Sequence, residues 1–228
     1  MFFSGCTLKC LFCQNYPISQ MGVGRYVTVE ELGQEMLTLQ KKGAHNINLV
    51  TATHQMAAVA AALLWAIPRG FRLPLVHNTS GYERVEVLRL LEGIVDIYLP
   101  DIKYAHPSVA ERCSRSFDYV TFNRMALLEM WRQVGPLKLD SAGIAYRGML
   151  IRHLVLPGDL SGTADNLAFV AEEFGSEAWI SLMHQYFPAH EALHIPPLNR
   201  KVAKDEYERA FDTATRLGLE NGFVQALA

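Results

Sequence analysis

Thr28-Val29-Glu30-Glu31-Leu32-Gly33-Gln34-Glu35-Met36-Leu37-Thr38-Leu39-Gln40-Lys41-Lys42-Gly43 leads through Ala44-His45-Asn46 into Ile47-Asn48-Leu49-Val50. The Thr28 hydroxyl is placed to cap a first helical turn while Glu31 reaches back, a Thr-x-x-Glu capping box that satisfies two amide donors at once. Leu32, Met36 and Leu39 then recur on one face, and Gly43 stops the helix. Residues 47–50 form a short apolar run that reads as a buried strand. Helix followed by short apolar strand is the repeating unit of a parallel α/β fold.

The unit recurs in both directions along the chain. Residues 55–67 read as an alanine-rich helix ended by Pro68 and Gly70, 75–77 as a strand, 83–91 as a helix ending at Gly93, and 95–99 as a strand. Helical pieces are expected at 107–113 and 126–134, a strand at 149–156, and a helix at 163–174 that turns Leu167, Val170 and Phe174 to one side. A strand at 179–183, a proline-rich loop over 188–197, and a helix at 204–217 with Tyr207, Phe211 and Ala214 inward complete the pattern. With Phe2-Phe3 taken as a first strand, this amounts to about six βα units. No low-complexity linker divides them, so residues 1–228 are expected to form a single domain. Parallel strands joined by right-handed crossovers close into a barrel or partial barrel, whose chemistry lies at the carboxyl ends of the strands.

Composition narrows the function classes. Half of the 228 residues are hydrophobic and 19% are charged, enough to bury a large core. A net charge of −2 and a pI near 6.4 give no basic excess for a nucleic-acid platform. The start, Met1-Phe2-Phe3-Ser4-Gly5, has neither the basic residues nor the apolar run of a signal peptide, and no apolar stretch approaches a membrane span. The chain therefore reads as cytoplasmic, with reduced thiols.

Three of the four cysteines, Cys6, Cys10 and Cys13, crowd into one loop with the spacing C-x3-C-x2-C. Crowding of this kind points to ligation. Three thiolates can hold three corners of a [4Fe-4S] cube and leave the fourth iron open to an outside molecule. A structural zinc site would want a fourth Cys or His nearby, and none adjoins. Inert buried cysteines and a Cys-x-x-Cys redox pair are the remaining readings. Cys113 stands alone in a polar stretch and reads as a bystander.

That spacing, with Phe12 just before the last cysteine, resembles the signature of the radical S-adenosylmethionine (radical SAM) superfamily. FFSGC, FCQNY, NLVTATH, VHNTSGY, LPDIKY, IRHLVLPG and SLMHQYFP resemble, more narrowly, the relatives of the pyruvate formate-lyase activating enzyme, in particular its X-type (PflX-like) branch. The resemblance implies a partial (β/α)6 TIM-like barrel, the radical SAM core, with a [4Fe-4S] cluster on Cys6, Cys10 and Cys13. S-adenosyl-L-methionine on the open iron would be cleaved by one electron to methionine and a 5′-deoxyadenosyl radical. It implies an electron donor such as flavodoxin or ferredoxin, and as substrate a glycyl radical enzyme, or alternatively another peptide or a small molecule. Relatives usually carry a further N-terminal segment, so the first strand is expected to be truncated at Met1. A non-catalytic electron-transfer or sensing module is the reading from another class; such a carrier normally supplies four cysteines and needs no strand-end pocket.

Carried over residue by residue, Phe12 falls beside the cofactor. Thr51-Ala52-Thr53 stands where many superfamily members have Gly-Gly-Glu for the methionyl amine, so Thr51 and Thr53 are candidates there, with a helix cap as the alternative. Asn78 and Ser80 fall where relatives bond the ribose, although Asn, Ser and Gly also suit a turn. Asp101 and Lys103 end an apolar strand, where charge is expensive unless paired or used; Lys103 suits the cofactor carboxylate, and Asp101 the ribose or a cation. Arg152 lies inside an apolar strand and could meet a carboxylate bidentately. His184, with Gln185, is a cavity-lining candidate. His190-Glu191-Ala192-Leu193-His194 spells H-E-x-x-H, but the prolines at 188, 196 and 197 leave too little helix for a zinc-protease site, so a surface or lid segment is expected.

Overall fold

The computed structural model describes residues 1–224. A short helix α1 (Tyr16–Ser19) follows the cysteine loop. Helix α2 (Val29–Lys41) starts at the capping box: Thr28 Oγ1 accepts from the Glu31 amide at 3.1 Å, and Glu31 Oε2 accepts from the Thr28 amide at 2.7 Å. Then come β1 (Ile47–Val50), α3 (Met56–Ala66), β2 (Leu75–Thr79), α4 (Val85–Leu90) and β3 (Ile97–Pro100). Helices α5 (Pro107–Ser114) and α6 (Tyr119–Val134) precede β4 (Lys138–Leu139) and β5 (Ala145–Leu154); α7 (Thr163–Phe174), β6 (Trp179–Met183), α8 (Lys204–Arg216) and β7 (Gly222–Val224) follow.

The strands β1-β2-β3-β5-β6-β7 pair in parallel in that order, and β4 joins β5 as an antiparallel spur. The sheet path is open, as in a partial barrel. Period-two alternation sorts the side chains. Leu49, Leu75, Tyr98, Met149 and Ile151 turn toward the helices and join Met36, Leu63, Leu127, Leu167 and Val170 in the main core. Val76, Ile97, Leu150 and Trp179 face the other way and close the floor of the barrel around Leu137 from the β4 arm.

Several expectations need correction. Phe2-Phe3 is not a strand; Phe2 makes one isolated parallel bridge to Val50. One bridge is what a run of two or three extended residues can make before the chain turns into the cysteine loop. β2 runs on to Thr79, so Asn78 belongs to the strand and not to the turn after it. β4 and β7 were not anticipated; two and three residues are too few to show a period. Phe211 is 43% exposed, because the buried stripe of α8 is centred on Tyr207, Ala210 and Ala214. At 100° per residue, Phe211 falls on its border.

Candidate cluster site at the carboxyl ends of the strands

The cysteine loop is pinned to the end of α5: the Lys9 amide donates to Ser114 O at 3.2 Å and the Leu11 amide to Cys113 O at 2.9 Å. Gln20 Nε2 donates to Cys10 O at 3.1 Å. Each of the three sulfurs has its own hydrogen-bond partner. The Leu8 amide donates to Cys6 Sγ at 3.4 Å, Ser114 Oγ donates to Cys10 Sγ at 3.0 Å, and Cys13 Sγ lies 3.2 Å from Ser19 Oγ. Behind Ser114, the Tyr104 hydroxyl sits 2.5 Å away, and both residues are fully buried. Phe12 is buried edge-on against Tyr186, with ring centroids 5.7 Å apart.

Burial pushes the Cys10 thiol up to about 11, against the pull of Lys103 and the Ser114 bond; Cys6 is raised as well, again by burial first. A metal is the usual reason for thiols to be drawn together where their own ionisation is disfavoured. Among the described residues no three His, Cys, Asp or Glu groups converge on a point that would hold one metal ion. Tetrahedral zinc needs such a point. A four-iron cube does not, since its three thiolates end on three different irons, and hydrogen bonds to sulfur are among the levers that set its potential. The donor set fits the cluster.

Beside the loop, Asp101, Lys103 and Arg152 form one partly buried unit. Lys103 Nζ lies 2.5 Å from Asp101 Oδ2, and Arg152 reaches Asp101 Oδ1 through Nη2 at 2.6 Å and Nε at 2.9 Å. Burial alone would raise the Asp101 carboxyl, but Arg152 and Lys103 outweigh it and hold it below the ordinary carboxylate range. Lys103 is raised because Asp101 and Cys10 offset its own desolvation.

At the end of β1, Thr51 has φ +59°, a left-handed backbone that a β-branched residue rarely adopts. Strain of this kind collects at functional sites. Thr53 Oγ1 donates to Glu83 Oε1 at 2.5 Å. His54 packs over Gly5 and meets Ser4 O at 2.7 Å; a Cβ at Gly5, where φ is +98°, would come within 2.9 Å of its ring. Asn78 is buried on the barrel face of β2, and Ser80 O accepts from the Tyr119 hydroxyl at 2.9 Å.

Residues 1–145 match the family model described as the Radical SAM superfamily. The chain belongs to the radical SAM superfamily. It is 28% identical over 228 residues to the protein MJ0674 of Methanocaldococcus jannaschii, covering 96% of this chain and 62% of that one. It is 23% identical over 202 residues to the pyruvate formate-lyase 1-activating enzyme of Escherichia coli K12, covering 83% and 73%. Among solved structures it resembles a radical SAM methyltransferase from Sphaerobacter thermophilus (TM-score 0.62, 14% identity, 98% of this chain and 64% of that one). It also resembles HydG, a maturase of the [FeFe]-hydrogenase (TM-score 0.61, 13% identity, 96% and 48%). The chain thus spans about three fifths of the MJ0674 protein's length.

Radical SAM enzymes use a [4Fe-4S] cluster with S-adenosylmethionine, and the sulfurs and charged groups described above lie together at one end of this radical SAM barrel. The His184 ring packs against Tyr207 of α8, centroids 4.9 Å apart. The H-E-x-x-H string forms a 3₁₀ turn, His190–His194, in which residues four apart do not share a face. His190 stacks on Tyr16 at 4.6 Å and the Ala192 amide donates to Leu11 O at 3.0 Å, so the segment lies over the cysteine loop. Cys113 is fully buried against that loop, although the sequence around it is polar. Ser114, Tyr104, Ser19 and Glu83 were not singled out from sequence, because no local pattern marks a serine, tyrosine or glutamate as the partner of a sulfur or a hydroxyl across a loop. No described helix is long and apolar enough to cross a membrane.

Proposed function

We propose that the chain cleaves S-adenosylmethionine reductively, with Cys6, Cys10 and Cys13 as the ligands of a [4Fe-4S] cluster. One observation carries this reading: three sulfurs on one loop, each with a hydrogen-bond partner, beside the partly buried Asp101–Lys103–Arg152 unit at the carboxyl ends of parallel strands. When bound, cluster and cofactor supply the chemistry, one electron breaking the sulfonium to give methionine and a 5′-deoxyadenosyl radical that takes hydrogen from a substrate.

The chain's own residues orient and enclose. Lys103, held by Asp101, would meet the cofactor carboxylate, and Arg152 shares Asp101 with it. Phe12 offers an apolar face to the adenine, Asn78 and Ser80 polar atoms to the ribose, and the Thr51–Thr53 turn its carbonyls to the methionyl end. The His190–His194 turn covers the loop and keeps water from it. A glycyl radical enzyme is the proposed hydrogen donor and a flavodoxin or ferredoxin the electron source; the identity to the Escherichia coli activating enzyme supports both.

The test is anaerobic reconstitution with iron and sulfide, then reduction with S-adenosylmethionine present. The wild type should form 5′-deoxyadenosine and methionine, and Cys10→Ala should hold no cluster and form neither. A fully loaded, reducible wild-type cluster that leaves S-adenosylmethionine intact would favour an electron-transfer role.

A further inference from the structure

Glu83 sits in the loop after β2, only 4% exposed although it is a carboxylate. Its Oε1 accepts from Thr53 Oγ1 at 2.5 Å, from Thr79 Oγ1, and from His77 Nε2 at 3.1 Å. Three donors converge on one oxygen. The other oxygen, Oε2, takes no donor among the described residues, and Glu83 lines a half-open cleft of about 260 Å³ whose polar wall is Thr7, Thr53, Tyr82, Arg84 and Asp118. Thr7 belongs to the cysteine loop, so the cleft opens beside the cluster ligands. A buried carboxylate saturated on one oxygen and open on the other is costly unless a ligand completes it.

The cleft holds two carboxylates, Glu83 and Asp118, and one cation, Arg84. Asp118 Oδ1 already takes the Tyr82 hydroxyl at 2.7 Å, and the Arg84 guanidinium is drawn over the Phe122 ring, 5.7 Å from its centroid. The complement of such a surface is a compact donor with positive charge, a primary ammonium. Position 53, third after β1, carries no carboxylate of its own; its hydroxyl is bonded to the one that Glu83 brings from the next strand.

We propose that Glu83 binds the α-ammonium group of S-adenosylmethionine, supplying from the β2 loop the carboxylate that position 53 lacks. His77, Thr53 and Thr79 position it. The inference rests on the reading that this chain binds that cofactor, and the test separates the two.

Equilibrium binding to the reconstituted protein is measured for S-adenosylmethionine and for 5′-methylthioadenosine, which has no amino-acid end. Glu83→Gln keeps the size and the hydroxyl donors but removes the charge. It should weaken S-adenosylmethionine roughly 10–100-fold and leave 5′-methylthioadenosine within about twofold. Equal affinities in wild type and variant, or equal losses for both compounds, overturn the role of Glu83. A wild type that binds neither compound overturns the cofactor reading itself. Should Glu83→Gln hold no cluster, the exchange Thr53→Glu with Glu83→Thr decides. Affinity for S-adenosylmethionine within roughly fivefold of wild type supports the proposal, and an intact cluster without that affinity contradicts it.

Discussion

At the amino ends of the strands, Val76, Ile97, Leu150 and Trp179 close the barrel interior around Leu137 with apolar surface alone. At the carboxyl ends the same face of the same strands presents Asn78, Asp101 and Arg152, and the Asp101 carboxylate is bracketed by Arg152 at 2.6 Å and Lys103 at 2.5 Å. The floor requires only packing. The mouth holds partly buried charges that need partners, and thiols whose ionisation burial disfavours. One strand therefore serves stability with its first residues and chemistry with its last, as parallel barrels generally do.

The sharpest way to break that contrast is Asp101→Ala, which leaves Lys103 and Arg152 facing each other with no carboxylate between them. Loss of one partner of a fully buried ion pair costs roughly 3–5 kcal/mol, and solvent reaches part of this unit, so the denaturant midpoint should fall by the equivalent of about 2–4 kcal/mol. A midpoint near wild type would mean that the unit is solvated and the two ends differ less than described.

His153 extends the comparison to the helix side of β5. It is fully buried and neutral, Nδ1 donating to Ile102 O at 2.7 Å and Nε2 accepting from Thr163 Oγ1 at 3.0 Å, and burial lowers it to about 4. The unfolded chain takes up that proton near pH 6.5, so the contribution is whole above that pH and is lost as the pH falls toward 4, about 3 kcal/mol in all. His153→Gln should remove that part of the slope in denaturation series between pH 7 and 4; an unchanged slope would place the acid sensitivity elsewhere.

On the floor, Ile97→Ala should cost about 2–3 kcal/mol through the cavity it leaves. Iron content after reconstitution should not change. Loss of iron there would show that floor and mouth are coupled. The smallest effect is expected at Thr51, where Thr51→Gly relieves the left-handed backbone and should raise stability by up to about 1 kcal/mol, net of the entropy of glycine. A drop instead would show that the threonine side chain outweighs the strain.

What was legible from sequence follows the range of each interaction. The Thr28–Glu31 capping box and the Cys6-x3-Cys10-x2-Cys13 loop are complete within a few residues, and the Leu167, Val170 and Phe174 stripe lies within one helix, so all three could be read. The pairing of Asp101 with Arg152 was half legible: charge in an apolar strand demands a partner, but nothing local names it. Glu83 and Ser114 were not legible at all. Glu83 looks like the first residue of a helix until Thr53, Thr79 and His77 are seen around it, and Ser114 looks like a helix end until it is seen 3.0 Å from Cys10 Sγ, a hundred residues earlier. β4, β7 and the single bridge at Phe2 are too short to carry a period, and Phe211 was misplaced because it borders the buried stripe of its helix.

The central claim, that the cysteine loop holds a cluster with one iron open to S-adenosylmethionine, is tested most directly by electron paramagnetic resonance. The reconstituted protein is reduced anaerobically and its spectrum recorded without and with S-adenosylmethionine. The wild type should give a reduced [4Fe-4S] signal that changes shape when S-adenosylmethionine is added, and Cys10→Ala should give no such signal. A wild-type signal that is the same with and without S-adenosylmethionine would contradict it.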